Sequence, residues 1–265
     1  PVYGLAEATL GVSFPKTGEK FKYINLDREA LKNNNTCEES DDEKNSIPYV
    51  MHGRALRDCE YKIVDDVGKS LPEKIIGNIK IRGANVTKEI YQDVNTTNEI
   101  IDSDGWLSTG DCGALVKNNL IITGRKKEII IINGQNYYPN DIENIIIQAG
   151  NFDLGKIVAC GAINKSTQND QLLVFVLYKS DLKVFKSIAE EIRRIVIQQL
   201  NLEIDHVIPI KKIPKTTSGK IQRIKLSLDY QDGMFSDYLI DNQANNKVTN
   251  NDDVLRSLLD ISNQY

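Results

Sequence analysis

Apolar residues along this chain first alternate with polar ones, then run together, then recur at helical spacing. "EYKIVDD" and "GNIKIRG" alternate or nearly so, which predicts half-buried strands. "GALVKNNLIITGR" predicts a hairpin turning at Lys117-Asn118-Asn119. After Gly124 the texture changes. "EIIIING" reads as a strand buried on both faces. "YPNDIENIIIQAG" predicts a helix with Pro139 near its start and Asp141 and Glu143 in the first turn, where the helix dipole favours acids. Ile142, Ile145, Ile146 and Ala149 share one face, and Gly150 is the stop signal. "KIVACGAI" and "QLLVFVLY" predict two more strands. Leu182 to Leu200 predicts an amphipathic helix with Phe185, Ile188, Ala189, Ile192 and Ile195 inward.

The pattern therefore predicts an antiparallel β region and then a small α+β domain of ordinary size, with the boundary at Arg125–Lys127. Two stretches do not fit either. "KNNNTCEESDDEKNS" reads as an exposed insertion or loop. From Asp241 the chain is Asn-rich and reads as a flexible tail, in which "DDVLRSLLDIS" starts another helix. Composition narrows the class. At 40% hydrophobic and 26% charged, the chain reads as a soluble globular protein. A net charge of -4 gives no basic footprint for nucleic acid. No apolar run is long enough for a transmembrane segment. The four cysteines are scattered, which suits free thiols in a reducing, cytoplasmic setting. Two histidines are too few for a Cys/His zinc site. The opening "PVYGLAEATLGVSF" has no initiator Met and reads as cut from a longer protein.

Four short motifs carry candidate chemistry, each with a plainer reading beside it. "YGLAE" is a turn with a solvated acid, or Tyr3 against a flat ring and Glu7 on a hard cation such as Mg²⁺. In "DSDGWLSTGD" Trp106 reads as core, and Asp111 is a loop carboxylate or an acceptor for vicinal hydroxyls, as acids are on ribose. "TGRKKEIIIINGQNYYP" places Arg125, Lys126 and Lys127 before an apolar strand. They are gatekeepers against aggregation, or a hinge with an arginine fork for a hydroxyl or phosphate. Gly134 suits a turn that presents backbone to a ligand. "PKTTSGKIQR" has the Gly-Lys of a phosphate loop but lacks its first glycine, so it is not a G-x-x-x-x-G-K-[ST] loop. Its Ser218-Gly219 turn holds Lys220, which can be aimed at a developing negative charge.

In this order and company, Y-G-x-x-E, G-W-x-x-T-G-D, G-R-x-K-[DE]-x-I and P-K-T-x-S-G-K resemble the adenylate-forming superfamily over Tyr3 to Lys220. Ala6 in "YGLAEATLGVS", the form of "INGQNYYPNDIE" and the polar stretch from Phe21 to Ser46 are similar to the fatty acyl-AMP ligase branch. In that branch such an insertion is associated with loss of CoA as acceptor, by restraint of the small domain. The resemblance implies an α+β fold in three parts: a distal β-barrel-like subdomain of a large adenylation domain over 1–124, a small mobile domain with a three-stranded sheet and helices over 125–232, and a tail or linker over 233–265. It implies ATP and Mg²⁺, a fatty acid substrate, and as partner an acyl carrier protein or a polyketide or peptide synthase. By motif, Tyr3 and Gly4 fall at the adenine pocket, Asp111 and Arg125 at the ribose hydroxyls, Glu7 at Mg²⁺, Lys127 at the hinge, and Lys220 between the carboxylate and the α-phosphate.

The chain also departs from the pattern. Asn78 stands where the superfamily carries Glu, "VTKEIY" replaces a Gly-Tyr-Trp-like ending, and Lys127 replaces the commoner Asp. The Ser/Thr/Gly-rich phosphate loop and most of the acyl tunnel belong upstream of the first motif, so these residues alone are expected to be inactive. Two alternatives stand beside the acyl-AMP ligase: a long-chain acyl-CoA synthetase and a non-catalytic adenylate-binding homologue. The complete motif set argues against the second.

Overall fold

By contact the chain divides into two units, Pro1–Tyr138 and Pro139–Tyr265. The computed structural model describes residues 1–42, 44–165 and 167–239. The helix expected in "DDVLRSLLDIS" lies outside the described residues.

The first unit runs β1 (Ser13–Phe14), β2 (Tyr23–Asp27), β3 (Ser46–Val50), β4 (Arg54–Ala55), β5 (Cys59–Val64), β6 (Gly77–Gly83), α1 (Val94–Ile100), β7 (Leu107–Val116), β8 (Asn119–Arg125), β9 (Ile130–Ile132) and β10 (Gln135–Tyr137). The alternating segments become a four-stranded antiparallel meander, β5-β6-β7-β8. The β7–β8 hairpin turns where predicted. Lys117 and Asn118 adopt left-handed φ of 51° and 60°, the twist that a two-residue hairpin loop needs. Both faces of the meander are covered. One carries Ile63, Ile79, Ile81, Leu107 and Leu120 against Tyr3, Ala8 and Val12. The other carries Ala114, Val116 and Ile121 against Ile24, Leu26, Leu31, Cys37 and Tyr138.

Three expectations change here. The barrel-like closure does not form among the described residues. The meander stays open, and the other strands pair off as separate two-stranded pieces, β1-β4, β2-β3 and β9-β10. The polar insertion is anchored rather than simply exposed. Ala30–Asn34 forms one wide helical turn, and Leu31 and Cys37 are fully buried in the second core. "EIIIING" is not buried on both faces. It supplies β9, which among the described residues pairs with β10 alone, across an Asn133-Gly134 turn; Ile130 is buried and Ile131 is exposed.

The β9–β10 hairpin is tied to the insertion. Gln135 Nε2 donates to Asn33 Oδ1 at 2.9 Å and Asn136 Nδ2 to Asn35 Oδ1 at 2.8 Å. The Lys32 ammonium lies 5.2 Å from the Tyr137 ring centroid. Tyr138 follows, buried in the core that holds Leu31 and Cys37.

The second unit runs α2 (Pro139–Gly150), β11 (Ile157–Ile163), β12 (Asp170–Leu177), α3 (Leu182–Leu200), β13 (His206–Ile210) and α4 (Arg223–Gln231). Its sheet is three-stranded, but the third strand is "HVIPI" and not "EIIIING". β13 lies parallel to β12, and α3 makes the crossover that parallel neighbours require. Asp181 caps α3 through the Lys183 N–H at 2.9 Å, and Asn201 closes it at φ 48°. The inward face of α3 holds Phe185, Ala189, Ile192 and Ile195 as read, while Ile188 is only half-buried and Val196, not expected there, is fully buried. In α2 the expected stripe is narrower, because Ala149 is exposed. Leu226 of α4 packs on Val158, Cys160, Phe175 and Ile208.

All four cysteines are free and buried. Burial pushes the Cys37 thiol up to about 12 and Cys112 up to about 11, and raises Cys59 as well. Burial also holds both imidazoles, His52 and His206, below the ordinary 6.5. The unfolded chain therefore takes up these protons first as pH falls. The stability that rests on neutral imidazoles is full above 6.5 and drains as pH drops through it toward the depressed folded values. We expect the thermal midpoint to fall between pH 7 and about 5, and to fall less in a His52→Gln, His206→Gln variant. Calorimetry across that range reads both.

Candidate active site

Tyr3 opens a tight loop. Its N–H and C=O pair with Ser13 and Val12, and the loop between them carries one short 3-10 turn, Ala6–Ala8. Leu10 takes φ 87°, a strained value for a non-glycine residue, and its side chain is 75% exposed. Gly4 is required by close approach, because a Cβ there would lie 1.5 Å from the Leu10 carbonyl oxygen. Asn85 fastens the loop by donating to Ala8 O at 3.0 Å and Gly11 O at 2.7 Å. Glu7 rides on the 3-10 turn, half-buried, and its backbone carbonyl accepts the Thr87 N–H at 2.7 Å.

The loop delivers the Tyr3 phenol to Asp111, 108 residues away in sequence, with a hydroxyl-to-Oδ2 distance of 2.7 Å. Burial, then the Asp111 charge, push the Tyr3 pKa far above its usual value, so the phenol stays a neutral donor. On the other side Arg125 Nε donates to Asp111 Oδ1 at 3.0 Å. The β7–β8 register places these two residues opposite one another, with a one-residue shift at Cys112/Gly113. The Asp111 N–H donates to Thr109 Oγ1, whose hydroxyl donates to Ile79 O. Gly110 precedes at φ 75°, and a Cβ there would meet nothing within 4 Å. Asp111 is thus a fixed carboxylate beside an open ledge. Each oxygen has one donor and a spare lone pair, enough for two adjacent hydroxyls. No described residue pairs with the Arg125 guanidinium beyond Nε.

Trp106 is not core. It is half-buried, with the Lys62 ammonium 4.2 Å and the Arg82 guanidinium 4.5 Å from its ring centroid. Lys127 lies exposed on the 3-10 turn Lys126–Glu128, while its neighbour Lys126 pairs with Asp66 at 2.6 Å. Asn78 joins that pair, donating to Asp66 Oδ1 at 3.0 Å.

Lys220 belongs to the second unit. The Thr216 N–H donates to Lys220 O at 2.8 Å, the Lys220 N–H to Thr216 Oγ1 at 3.1 Å, and Gly219 turns at φ 86°. Lys215 and Ile221 bridge below the turn. The Lys220 side chain is exposed, and no ion pair among the described residues takes it up. The structure therefore gathers Tyr3, Gly4, Asp111 and Arg125, with Glu7 on the same loop as Tyr3. It leaves Lys127 and Lys220 exposed on turns. Sequence reading missed His52, which meets Tyr3 edge-on at 6.5 Å, and the buried pair Glu143–Arg223. Glu143 was visible only as an acid near a helix start.

No group of three metal-type ligands occurs among the described residues. A single carboxylate at Glu7 suits Mg²⁺ all the same, because that ion draws most of its ligands from substrate phosphates and water.

No family model matches the chain. A medium-chain fatty-acid–[acyl-carrier-protein] ligase, JamA of Moorena producens, is 30% identical over 264 residues, 94% of this chain and 44% of that ligase. A solved structure from studies of fatty acyl-adenylate ligases of E. coli and L. pneumophila superposes with a TM-score of 0.79 at 28% identity, over 89% of this chain and 42% of that one. The McyG A-PCP structure complexed with phenylalanyl-adenylate gives 0.72 at 28% identity, over 91% and 40%. The chain belongs to the adenylate-forming superfamily. The chain spans less than half the length of the curated relatives it matches. No described helix is long and apolar enough to cross a membrane.

Proposed function

We propose that this chain is the distal part of a fatty acyl-AMP ligase. The fatty acid carboxylate attacks the α-phosphorus of ATP, the bond to the β-phosphate bridge breaks, and pyrophosphate leaves. The acyl group then passes from AMP to the thiol of an acyl carrier protein, free or within a polyketide or peptide synthase. The observation that carries this reading is Asp111, held by Tyr3 and Arg125 with spare lone pairs on an open ledge.

In this reading Tyr3 and Gly4 line the adenine pocket, and Asp111 and Arg125 take the ribose hydroxyls. Glu7 holds Mg²⁺, which supplies charge neutralisation on the phosphates. Lys220 bridges carboxylate and α-phosphate, where a positive charge lowers the barrier because negative charge grows there. Residues 1–124 belong to the large domain and 125–232 form the small mobile domain about a hinge at Lys127; the expected tail does not start at 233, because Phe235, Tyr238 and Leu239 pack on the core of the second unit. The ties from Asn33 and Asn35 to the β9–β10 hairpin support the acyl-AMP branch, in which the insertion restrains the part that would turn toward CoA.

The test is acceptor choice. The full-length protein, charged with fatty acid and ATP, is offered a carrier protein or CoA. Acyl-carrier product with little acyl-CoA is expected. CoA as the better acceptor places the chain with the acyl-CoA synthetases. Failure to form acyl-hydroxamate at all sinks the enzymatic reading.

A further inference from the structure

The turn that presents Lys220 has two legs. One ends at Ile213, 6% exposed in the core below β13. The other ends at Arg223, the first residue of α4. Between them the backbone closes like a short ladder. Gln222 N–H donates to Pro214 O at 3.0 Å, Lys215 bridges Ile221, and Thr216 pairs with Lys220. Thr216, Thr217, Ser218, Gly219 and Lys220 are all exposed. No described residue packs on the tip to aim it, so its direction is set by its legs.

Arg223 is not a surface cation. Its side chain is 12% exposed and that of its partner Glu143 is 10% exposed. The fork is bidentate, with Nε to Oε1 at 3.1 Å and Nη2 to Oε2 at 2.9 Å. Nη2 also donates to Asn140 Oδ1 at 3.0 Å. Glu143 Oε1 accepts the Ala159 N–H at 2.9 Å as well. One carboxylate thus ties the start of α4 to α2 and to β11. An apolar pair of similar volume would stabilise such a site as well or better. What the ion pair adds is angle, because a planar guanidinium on a carboxylate has few permitted orientations.

We propose that Arg223 and Glu143 are positioning residues for Lys220. The buried pair fixes the α4 leg of the turn, and with it the direction in which the ammonium is offered. The proposal rests on the reading of Lys220 as the group that bridges carboxylate and α-phosphate.

The test uses the full-length protein and two substitutions that keep both charges, Arg223→Lys and Glu143→Asp. Each removes the fork and retains an ion pair, so the fold is kept while the angle is lost. Acyl-hydroxamate formation should fall in kcat by about 10- to 100-fold, the scale of a misplacement near 1 Å. KM for ATP and fatty acid, and thiol transfer from preformed acyl-AMP, should change little. Hydrogen exchange should quicken at the Thr216, Gly219 and Gln222 amides, which close the turn, and stay slow in β12. Wild-type adenylation in Arg223→Lys beside a dead Lys220→Ala overturns the positioning role and leaves the Lys220 reading intact. Full adenylation by Lys220→Ala overturns that reading, and the proposal with it. Equal loss of both half-reactions with faster exchange throughout the unit assigns the pair to the fold alone.

Discussion

Lys220→Ala in the full-length protein is expected to cut acyl-hydroxamate formation by roughly 100-fold or more, about 2.7 kcal/mol of barrier. Transfer of a preformed acyl-adenylate to a thiol should survive. The asymmetry follows from where charge grows. When the carboxylate meets the α-phosphate, two anionic groups approach and negative charge builds on the phosphoryl oxygens. An ammonium held there binds the transition state better than the ground state. In thiol transfer the phosphate is already a leaving group and that demand is gone. The Lys220 side chain is exposed and its removal leaves no buried hole, so the variant should fold normally. Measuring the half-reactions separately decides the matter. Equal loss of both would make Lys220 a structural residue.

Gly4→Ala should be the most damaging small substitution near the site. The added methyl would lie 1.5 Å from a backbone oxygen, that of Leu10, and no rotamer change can relieve a backbone clash. The loop cannot swing away freely, because Tyr3 is paired with Ser13 and Val12, and Asn85 holds Ala8 and Gly11. Something must give, and the nearest yielding element is the Tyr3 segment. We expect a loss of about 3 kcal/mol or more in denaturant unfolding, within the range of severe single substitutions. Displacing Tyr3 would also leave Asp111 Oδ2 without its 2.7 Å donor. Nucleotide affinity should then weaken even where the variant remains folded, and calorimetric titration with a non-hydrolysable adenylate analogue measures that. Unchanged stability would mean that the loop relaxes at the Leu10 peptide, which is already strained at φ 87°.

What could be read beforehand depended on how local the cause was. α3 was legible because nineteen residues repeat one apolar face between a capping Asp181 and Asn201. The β7–β8 hairpin was legible from apolar runs on both sides of Lys117-Asn118-Asn119, of which Lys117 and Asn118 form the turn and Asn119 already pairs with Val116. Counting back from that turn nearly pairs Asp111 with Arg125, but straight counting puts Asp111 opposite Gly124. Only the shift at Cys112/Gly113 brings Arg125 level, and no residue type announces such a bulge. β13 was hidden because "HVIPI" is five residues with a proline inside, which reads as broken strand. It forms because α3 returns the chain to an edge of β12. The Tyr3–Asp111 bond was beyond reach from sequence, since its partners meet only after a loop and a meander have both formed. "EIIIING" misled because four consecutive isoleucines look the same in a buried strand and in a hairpin with one dry side.

The buried thiols have a practical side. The thiolate is the reactive form, and burial both withholds it and blocks approach. While the chain stays folded, an alkylating dye finds none of its native cysteines. One introduced at Ser218, on the bare tip beside Lys220, would be the single addressable thiol among these 265 residues. Its fluorescence could then report on that tip with none of these four cysteines replaced.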